Sequence, residues 1–227
     1  MNPLNTQSTA HSNSQSNFQL PSKIVCVGRN YAEHARELGN DVPETPVLFL
    51  KPPSSVIGLE QGIAWNRELG ECHFECELSI RIGQRLKNAT AEQAQAAIAG
   101  VTLGLDLTLR DLQNQLKNKG QPWERAKAFD GACVLGQWLA PDMLCDLGKT
   151  TFELSVNDDV RQQGNTADML FGVVALLVDI SRVFTLEAGD VVMTGTPAGV
   201  AALESGDQLK MTLHTVLGGV TWQTFVA

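Results

Sequence analysis

Glu75 and Glu77 sit in the alternating stretch HFECELSIRI, residues 73–82. Phe74, Cys76, Leu78, Ile80 and Ile82 take one set of alternate positions; His73, Glu75, Glu77, Ser79 and Arg81 take the other. In a strand, residues i and i+2 share a face and lie about 6.5–7 Å apart. Two carboxylates at that range repel unless water screens them or a cation sits between them. Asp106 stands on the polar side of a second alternating stretch, VTLGLDLTLRD (101–111), whose other side is Val101, Leu103, Leu105, Leu107 and Leu109. Three carboxylates on two strands make an all-oxygen donor set, which suits Mg²⁺, Mn²⁺ or Ca²⁺ better than zinc. Two half-solvated strands with their charges in water would carry the same pattern, and the residues alone leave both readings open.

Other residue types in the chain can do chemistry. His34 and Glu37 lie three apart on a predicted helix, hence on one face. A carboxylate so placed orients an imidazole and stabilises its protonated form, which makes a general base; a solvated helix surface would look the same. Arg110 and Gln113, in LRDLQ, can fork onto a carboxylate. In TGTPAG (194–199), the backbone around Gly195 and the Thr196 hydroxyl can hold an anion or a developing oxyanion, and a plain turn also fits. Lys51 in FLKPP and Lys127 in ERAKAFD border apolar segments and, taken singly, read as surface lysines. No Walker loop, G-x-S-x-G elbow, H-E-x-x-H pair or G-x-G-x-x-G fingerprint occurs, which excludes P-loop, serine-hydrolase, zincin and dinucleotide-binding readings.

These residues need elements to position them. SKIVCVG (22–28) and VLFLKP (47–52) read as strands, and RNYAEHARELG (29–39) between them as a helix. That helix has Asn30 as N-cap, Glu33 completing a capping box and Gly39 as its stop. TAEQAQAAIAG (90–100) reads as a helix from Thr90 to Gly100, and KNKGQPWERAKAFDG (117–131) as a loop. TFELSVNDDVRQQG (151–164) is a hairpin turning at Asn157-Asp158-Asp159, and ADMLFGVVALLVDISRVF (167–184) is a long buried helix. A strand and Gly-rich loop (187–200) and two closing strands complete the chain. Strands outnumber helices without regular alternation, so an α+β, β-rich fold fits better than a doubly wound sheet.

The 227 residues are 43% hydrophobic and 19% charged, a soluble globular balance. A formal charge of -8 argues against nucleic acid or an anionic membrane as partner. No run of about 18 apolar residues is present, so no membrane span is expected. Residues 1–20 are rich in Asn, Ser, Gln and Thr and lack the plan of a signal peptide; they read as a disordered tail before a single domain over 21–227. Five cysteines without a C-x-x-C pair point to reduced thiols in a cytoplasmic protein. Cys72 and Cys76 on one strand would be roughly 13 Å apart, too far to share a metal.

Taken in order, VGRNYAEHARELG, PVLFLKP, HFECELSIRIG, AGVTLGLDLTLRDLQ, GQPWERAKAFD and GDVVMTGTPAGV followed by SGD resemble the fumarylacetoacetate hydrolase family over about residues 22–226. The short members, the fumarylpyruvate hydrolase-like proteins and the acylpyruvase and oxaloacetate decarboxylase group, are the most similar. The resemblance implies layered mixed β-sheets rolled around the active site, usually in a homodimer. It implies Mg²⁺ or Mn²⁺ on Glu75, Glu77 and Asp106, a catalytic His34–Glu37 dyad on a segment that closes over the substrate, and a catalytic Lys127. Arg110, Gln113, Gly195, Thr196 and Lys51 are the implied substrate-side residues. The implied substrate is a small oxo acid. The leading expectation is hydrolysis of the C3–C4 bond of a 2,4-diketo acid, such as an acylpyruvate, to pyruvate and a carboxylic acid. Oxaloacetate decarboxylation or keto–enol tautomerisation is the alternative for the same site, and a metal-dependent binding protein with little turnover is a third. Trp65 and Trp123, within the unplaced segments 39–46, 53–70 and 114–126, fit the pocket wall and equally a core or interface role.

Overall fold

The computed structural model describes residues 20–227; the expected tail at 1–20 lies, but for its last residue, outside them. Seven strands form the largest sheet: β1 (Ile24–Gly28), β2 (Val47–Lys51), β3 (Val56–Gly58), β5 (Cys76–Ile82), β6 (Ile98–Asp106), β8 (Cys133–Leu135) and β11 (Val191–Met193). Their order is β2-β1-β11-β5-β6-β8-β3, with β1/β11 and β3/β8 parallel and the other neighbours antiparallel. A four-stranded antiparallel sheet is built from β9 (Thr151–Val156), β10 (Asp159–Asn165), β13 (Gln208–Thr215) and β14 (Gly218–Phe225), in the order β10-β9-β13-β14. A small third sheet joins β4 (Cys72–Phe74), β7 (Thr108–Leu109) and β12 (Ala201–Ala202), with β4 in the middle. The fold is thus β-rich α+β with a curled mixed sheet, as the strand count implied.

The core lies between the sheets. Leu78 and Ile80 of β5 and Leu103 and Leu105 of β6 pack with Leu154 of β9 and Met211 and Leu213 of β13. Leu176, Leu177 and Ile180 of helix α5 (Val173–Val183) belong to the same cluster. The apolar alternation of the two central strands has its expected cause, because each set of alternate leucines and isoleucines is fully buried. The middle of the polar set is buried as well: Glu77 is 2% exposed and Ser79 0%. Gly104 of β6 permits this crowding, since a Cβ there would meet Ser79 Oγ at 2.9 Å and Val134 O at 3.0 Å.

Several element boundaries differ from expectation, each for a local reason. Residues 72–82 are two strands rather than one, parted at Glu75 as the chain passes from the small sheet to the large one. The stretch from Val101 likewise ends as β6 at Asp106, resumes as β7, and becomes helix α3 (Arg110–Asn118). Helix α1 (Ala32–Glu37) has Tyr31 at its N-cap with no side-chain cap. Asn30 is unavailable, because it is buried and its Oδ1 accepts the Phe171 N–H at 2.9 Å, while its amide nitrogen donates to Thr194 O at 2.8 Å and Phe171 O at 3.0 Å. Helix α2 (Ala91–Ala96) is capped by Thr90, in a capping box with Gln93, but stops before Gly100, where β6 has already begun. A short helix α4 (Glu124–Lys127) interrupts the expected loop at 117–131. The apolar run at 167–184 is α-helical only over α5, with a 3-10 turn at Thr166–Asp168 before it. The hairpin turn is as read: Asn157 and Asp158 hold φ of 51° and 68°, the left-handed pair of a type I′ turn.

All five cysteines are free thiols, four of them buried. Among the described residues no helix is long and apolar enough to cross a membrane.

Candidate active site

Glu75 occupies the break between β4 and β5, Glu77 lies on β5, and Asp106 ends β6. The Asp106 N–H donates to Glu75 O at 2.8 Å, which draws the end of β6 against the break. One oxygen of each carboxylate lies within 4.8 Å of the other two. The three residues are 5%, 2% and 1% exposed, so water does not screen them and the half-solvated reading fails.

Fixed cations surround two of the acids. Lys127 Nζ, from the last turn of α4, donates to Glu75 Oε2 and Asp106 Oδ2, both at 2.8 Å, and to Thr108 Oγ1 at 2.6 Å. Lys51 Nζ lies 2.7 Å from Asp106 Oδ1. Arg110 pairs with Glu75 and donates from its other guanidinium nitrogen to Gln113 Oε1 at 2.8 Å. Lys51 and Lys127 are therefore not surface lysines: they are 0% and 3% exposed. Glu77 has no cationic partner among the described residues; its Oε2 accepts the Gly195 N–H at 2.8 Å.

The electrostatics follow from this inequality. Burial, then Asp106 and Glu75, push the Glu77 carboxyl well above the usual carboxylate range. Burial also acts upward on Glu75, but Lys127 and Arg110 outweigh it and hold that carboxyl well below the range. On Lys127 burial acts downward and is overcome by Asp106 and Glu75, so the ammonium stays charged. Three converging buried carboxylates, one without a counter-charge, form a fitting oxygen cage for a divalent cation.

The dyad and the Gly-rich loop meet this cage from the other side. His34 Nδ1 lies 3.0 Å from Glu37 Oε2, while Glu37 Oε1 accepts the Gly199 N–H at 3.0 Å. Helix α1 is thereby tied to the loop after β11. Gly195 holds φ of 99°, and a Cβ there would meet Asn30 Cβ at 2.7 Å, so only glycine delivers its N–H to Glu77. Thr196 Oγ1 donates to Cys76 O at 2.9 Å and accepts from Gln162 Nε2 at 2.8 Å. Gln162 faces inward because the β9/β10 register shifts between Val160 and Gln162.

One pocket of about 430 Å³ is lined by His34, Glu75, Glu77, Asp106, Arg110, Gln113, Lys127 and Thr196. Lys51 and Gly195 do not line it: each touches an acid of the cage from outside the cavity. Trp123 lines the pocket beside Phe49, with ring centroids 5.8 Å apart. Trp65 does not; it stacks under Arg67 and donates to Gly70 O at 2.9 Å. Sequence reasoning missed Arg29, Lys117, Asn30 and Gln162. Lys117 had a legible signal, since Arg110, Gln113 and Lys117 fall at i, i+3 and i+7 once α3 is read as a helix. Gln162 and Asn30 had none, because their partners are remote in sequence.

The model of the fumarylacetoacetate (FAA) hydrolase C-terminal family matches residues 23–223. Over 192 residues the chain is 52% identical to an oxaloacetate tautomerase of Escherichia coli (strain K12), covering 84% of this chain and 88% of that protein. It is 41% identical over 194 residues to a mitochondrial oxaloacetate decarboxylase of Dictyostelium discoideum, covering 85% and 89% of the two chains. Among solved structures, the fumarylpyruvate hydrolase of Pseudomonas aeruginosa in complex with Mn²⁺ and pyruvate superposes with a TM-score of 0.83 at 33% identity, covering 100% of both chains.

Proposed function

The chain belongs to the fumarylacetoacetate hydrolase family, and from that premise we propose that it interconverts the keto and enol forms of oxaloacetate with a bound divalent cation, Mg²⁺ or Mn²⁺. The observation that carries this reading is that His34, paired with Glu37, lines the same pocket as the buried acids. It puts a proton carrier beside a cation cage, and tautomerisation needs both and nothing more. The oxaloacetate tautomerase of E. coli, at 52% identity, supports placing this reaction ahead of the C–C hydrolysis expected from the motifs.

Glu75, Glu77 and Asp106 would hold the cation, whose Lewis acidity favours negative charge on an oxo-acid oxygen. With Glu37 ionised, His34 Nδ1 carries a proton toward it and Nε2 is left as the base. In the keto-to-enol direction Nε2 takes one proton from C3. The C–H electron pair becomes the C2–C3 double bond, and the carbonyl pair moves onto O2. Glu37 stabilises the imidazolium that forms; O2 takes a proton from solvent water to complete the enol, and the imidazolium returns its proton to the solvent, which restores the neutral base. Lys127 adds a fixed positive charge near O2. Arg110 and Gln113 orient the substrate end that faces the cage.

Loss of CO₂ from C4 leads to the same electron distribution on C2, C3 and O2, so decarboxylation is a second outcome of this site. Hydrolysis of an acylpyruvate is the other reading, favoured by the dyad's fitness to activate water and by the fumarylpyruvate hydrolase at 33% identity. One assay separates them. Purified protein is given enol-oxaloacetate, keto-oxaloacetate and fumarylpyruvate, each with Mg²⁺ and with EDTA, and the products are identified by NMR. Fast Mg²⁺-dependent enol–keto exchange with slow pyruvate release is expected. Fast pyruvate release from fumarylpyruvate without enol–keto exchange would reject the tautomerase reading.

A further inference from the structure

Two cations that line the pocket pair with no carboxylate among the described residues: Arg29 and Lys117. The other cations of the pocket wall are engaged, Lys127 with Glu75 and Asp106 and Arg110 with Glu75. Arg29 follows β1 directly and holds φ of 59°, a left-handed backbone uncommon outside glycine. Lys117 lies on the pocket face of α3, two turns and roughly 10 Å along the axis from Arg110. Its ammonium donates to Asn40 Oδ1 at 2.7 Å, a neutral acceptor that positions the charge without cancelling it.

Burial, then Arg29, then Arg110 push the Lys117 pKa below the ordinary lysine range. Like charges crowded in a half-buried wall cost free energy, and a bound anion relieves that cost. The pocket is thus bipolar, with an acidic floor for a cation and a basic outer wall for an anion. A protein of formal charge -8 otherwise repels a dianion, so the local cations decide whether one enters.

We infer that Arg29 and Lys117 receive the second carboxylate of the substrate and make the site selective for dicarboxylic 2-oxo acids over those with an uncharged far end. The inference rests on the oxo-acid reading above and adds the residues that choose among such acids. In oxaloacetate the group concerned is the C4 carboxylate. In an acylpyruvate such as acetylpyruvate that end is an uncharged acyl group, which leaves the two cations facing each other.

The test uses Mg²⁺-loaded protein and two unreactive probes, malate and lactate, which share the 2-hydroxy acid end and differ in the second carboxylate. Dissociation constants are measured by calorimetry for the parent protein, Arg29→Asn and Lys117→Met. Asparagine tolerates the left-handed backbone at position 29, and methionine keeps the length of the lysine stem. The parent should bind malate at least about tenfold tighter than lactate, and each variant should lose most of that preference with lactate binding within about twofold. Lys117→Arg should restore the preference. An undiminished preference in both variants, or equal weakening for both probes, overturns the assignment. Oxaloacetate turnover by the same samples keeps the two ideas apart: a malate preference without turnover rejects the proposed reaction and retains the carboxylate site, and turnover without the preference does the reverse.

Discussion

Lys51 Nζ lies 2.7 Å from Asp106 Oδ1, with both side chains sealed from solvent. The same ammonium donates to the main-chain carbonyls of Lys127 and Leu107. One buried lysine on β2 therefore neutralises an acid of the cage and anchors the residue that carries the neighbouring ammonium. Removing one partner of a buried ion pair costs about 3–5 kcal/mol where the other is left unpaired, and the bond that Asp106 keeps with Lys127 makes that the upper bound here. Lys51→Met should lower the stability of the metal-free protein by up to that amount. A cation in the cage replaces the lost charge, so Mg²⁺ should raise the melting temperature of the variant more than that of the parent. Differential scanning calorimetry with EDTA and with Mg²⁺ checks both; equal Mg²⁺ shifts would show that Lys51 does not act through the acids.

Glu77 gives the opposite outcome. Its carboxylate has no cationic partner among the described residues, and burial together with Asp106 and Glu75 opposes its charge. Glu77→Gln keeps the shape and the acceptor for the Gly195 N–H. The metal-free variant should be at least as stable as the parent, while its Mg²⁺ affinity falls by about tenfold or more. Titration calorimetry with Mg²⁺ reads the affinity; an unaltered constant would remove Glu77 from the ligand set.

The site was more legible in the chain than the elements carrying it, for physical reasons. The acids showed themselves because charge at alternate positions of an apolar strand requires either water or a counter-ion. The pattern could not show which. That depends on what covers the polar face, here α3, α4 and the loop after β11. The strand breaks at Glu75 and Leu107 were hidden because Phe74, Cys76, Leu105, Leu107 and Leu109 are all buried, and apolar alternation runs unbroken through them. Asn30 has the composition of a helix cap, and its amide is instead taken by Thr194 and Phe171 from far along the chain. Local propensity yields to such long-range contacts, and a single sequence does not display them.

His34 and Glu37 act as a unit, and the hydrogen bonds of Glu37 determine how. Its Oε1 accepts from Gly199, so Oε2 faces His34 Nδ1. In Glu37→Gln the carbonyl oxygen must keep the Gly199 N–H, which turns the amide NH₂ toward Nδ1. The imidazole then carries its proton on Nε2 and loses its basic nitrogen. His34→Ala and Glu37→Gln should each lower the rate of oxaloacetate enol–keto exchange by about 10²–10⁴-fold. Mg²⁺ binding should remain, because neither residue belongs to the acid cage. Rates and Mg²⁺ titrations of the two variants provide the check; a Glu37→Gln enzyme at parental rate would disprove the tautomer argument.

Asp190 makes one contribution to stability that is lost in acid. Its carboxylate accepts from the Ser22 N–H at 2.9 Å, Ser22 Oγ at 2.7 Å and the Glu187 N–H at 2.8 Å, and pairs with Lys23. These contacts clasp the start of β1 to the turn before β11, where the two strands run parallel. Burial acts upward on this carboxyl, but the bonds from Lys23, Glu187 and Ser22 outweigh it and hold it below its ordinary 3.8. A carboxyl lowered on folding adds stability above its unfolded value, and that stability is lost as pH falls through the folded value. Asp190→Asn should therefore cost about 1–3 kcal/mol at pH 7, and the gap to the parent should close in strongly acidic solution as the parental carboxylate takes up its proton. Urea unfolding of both proteins across that range measures it. A gap independent of pH would assign the clasp to hydrogen-bond geometry and not to the charge of Asp190.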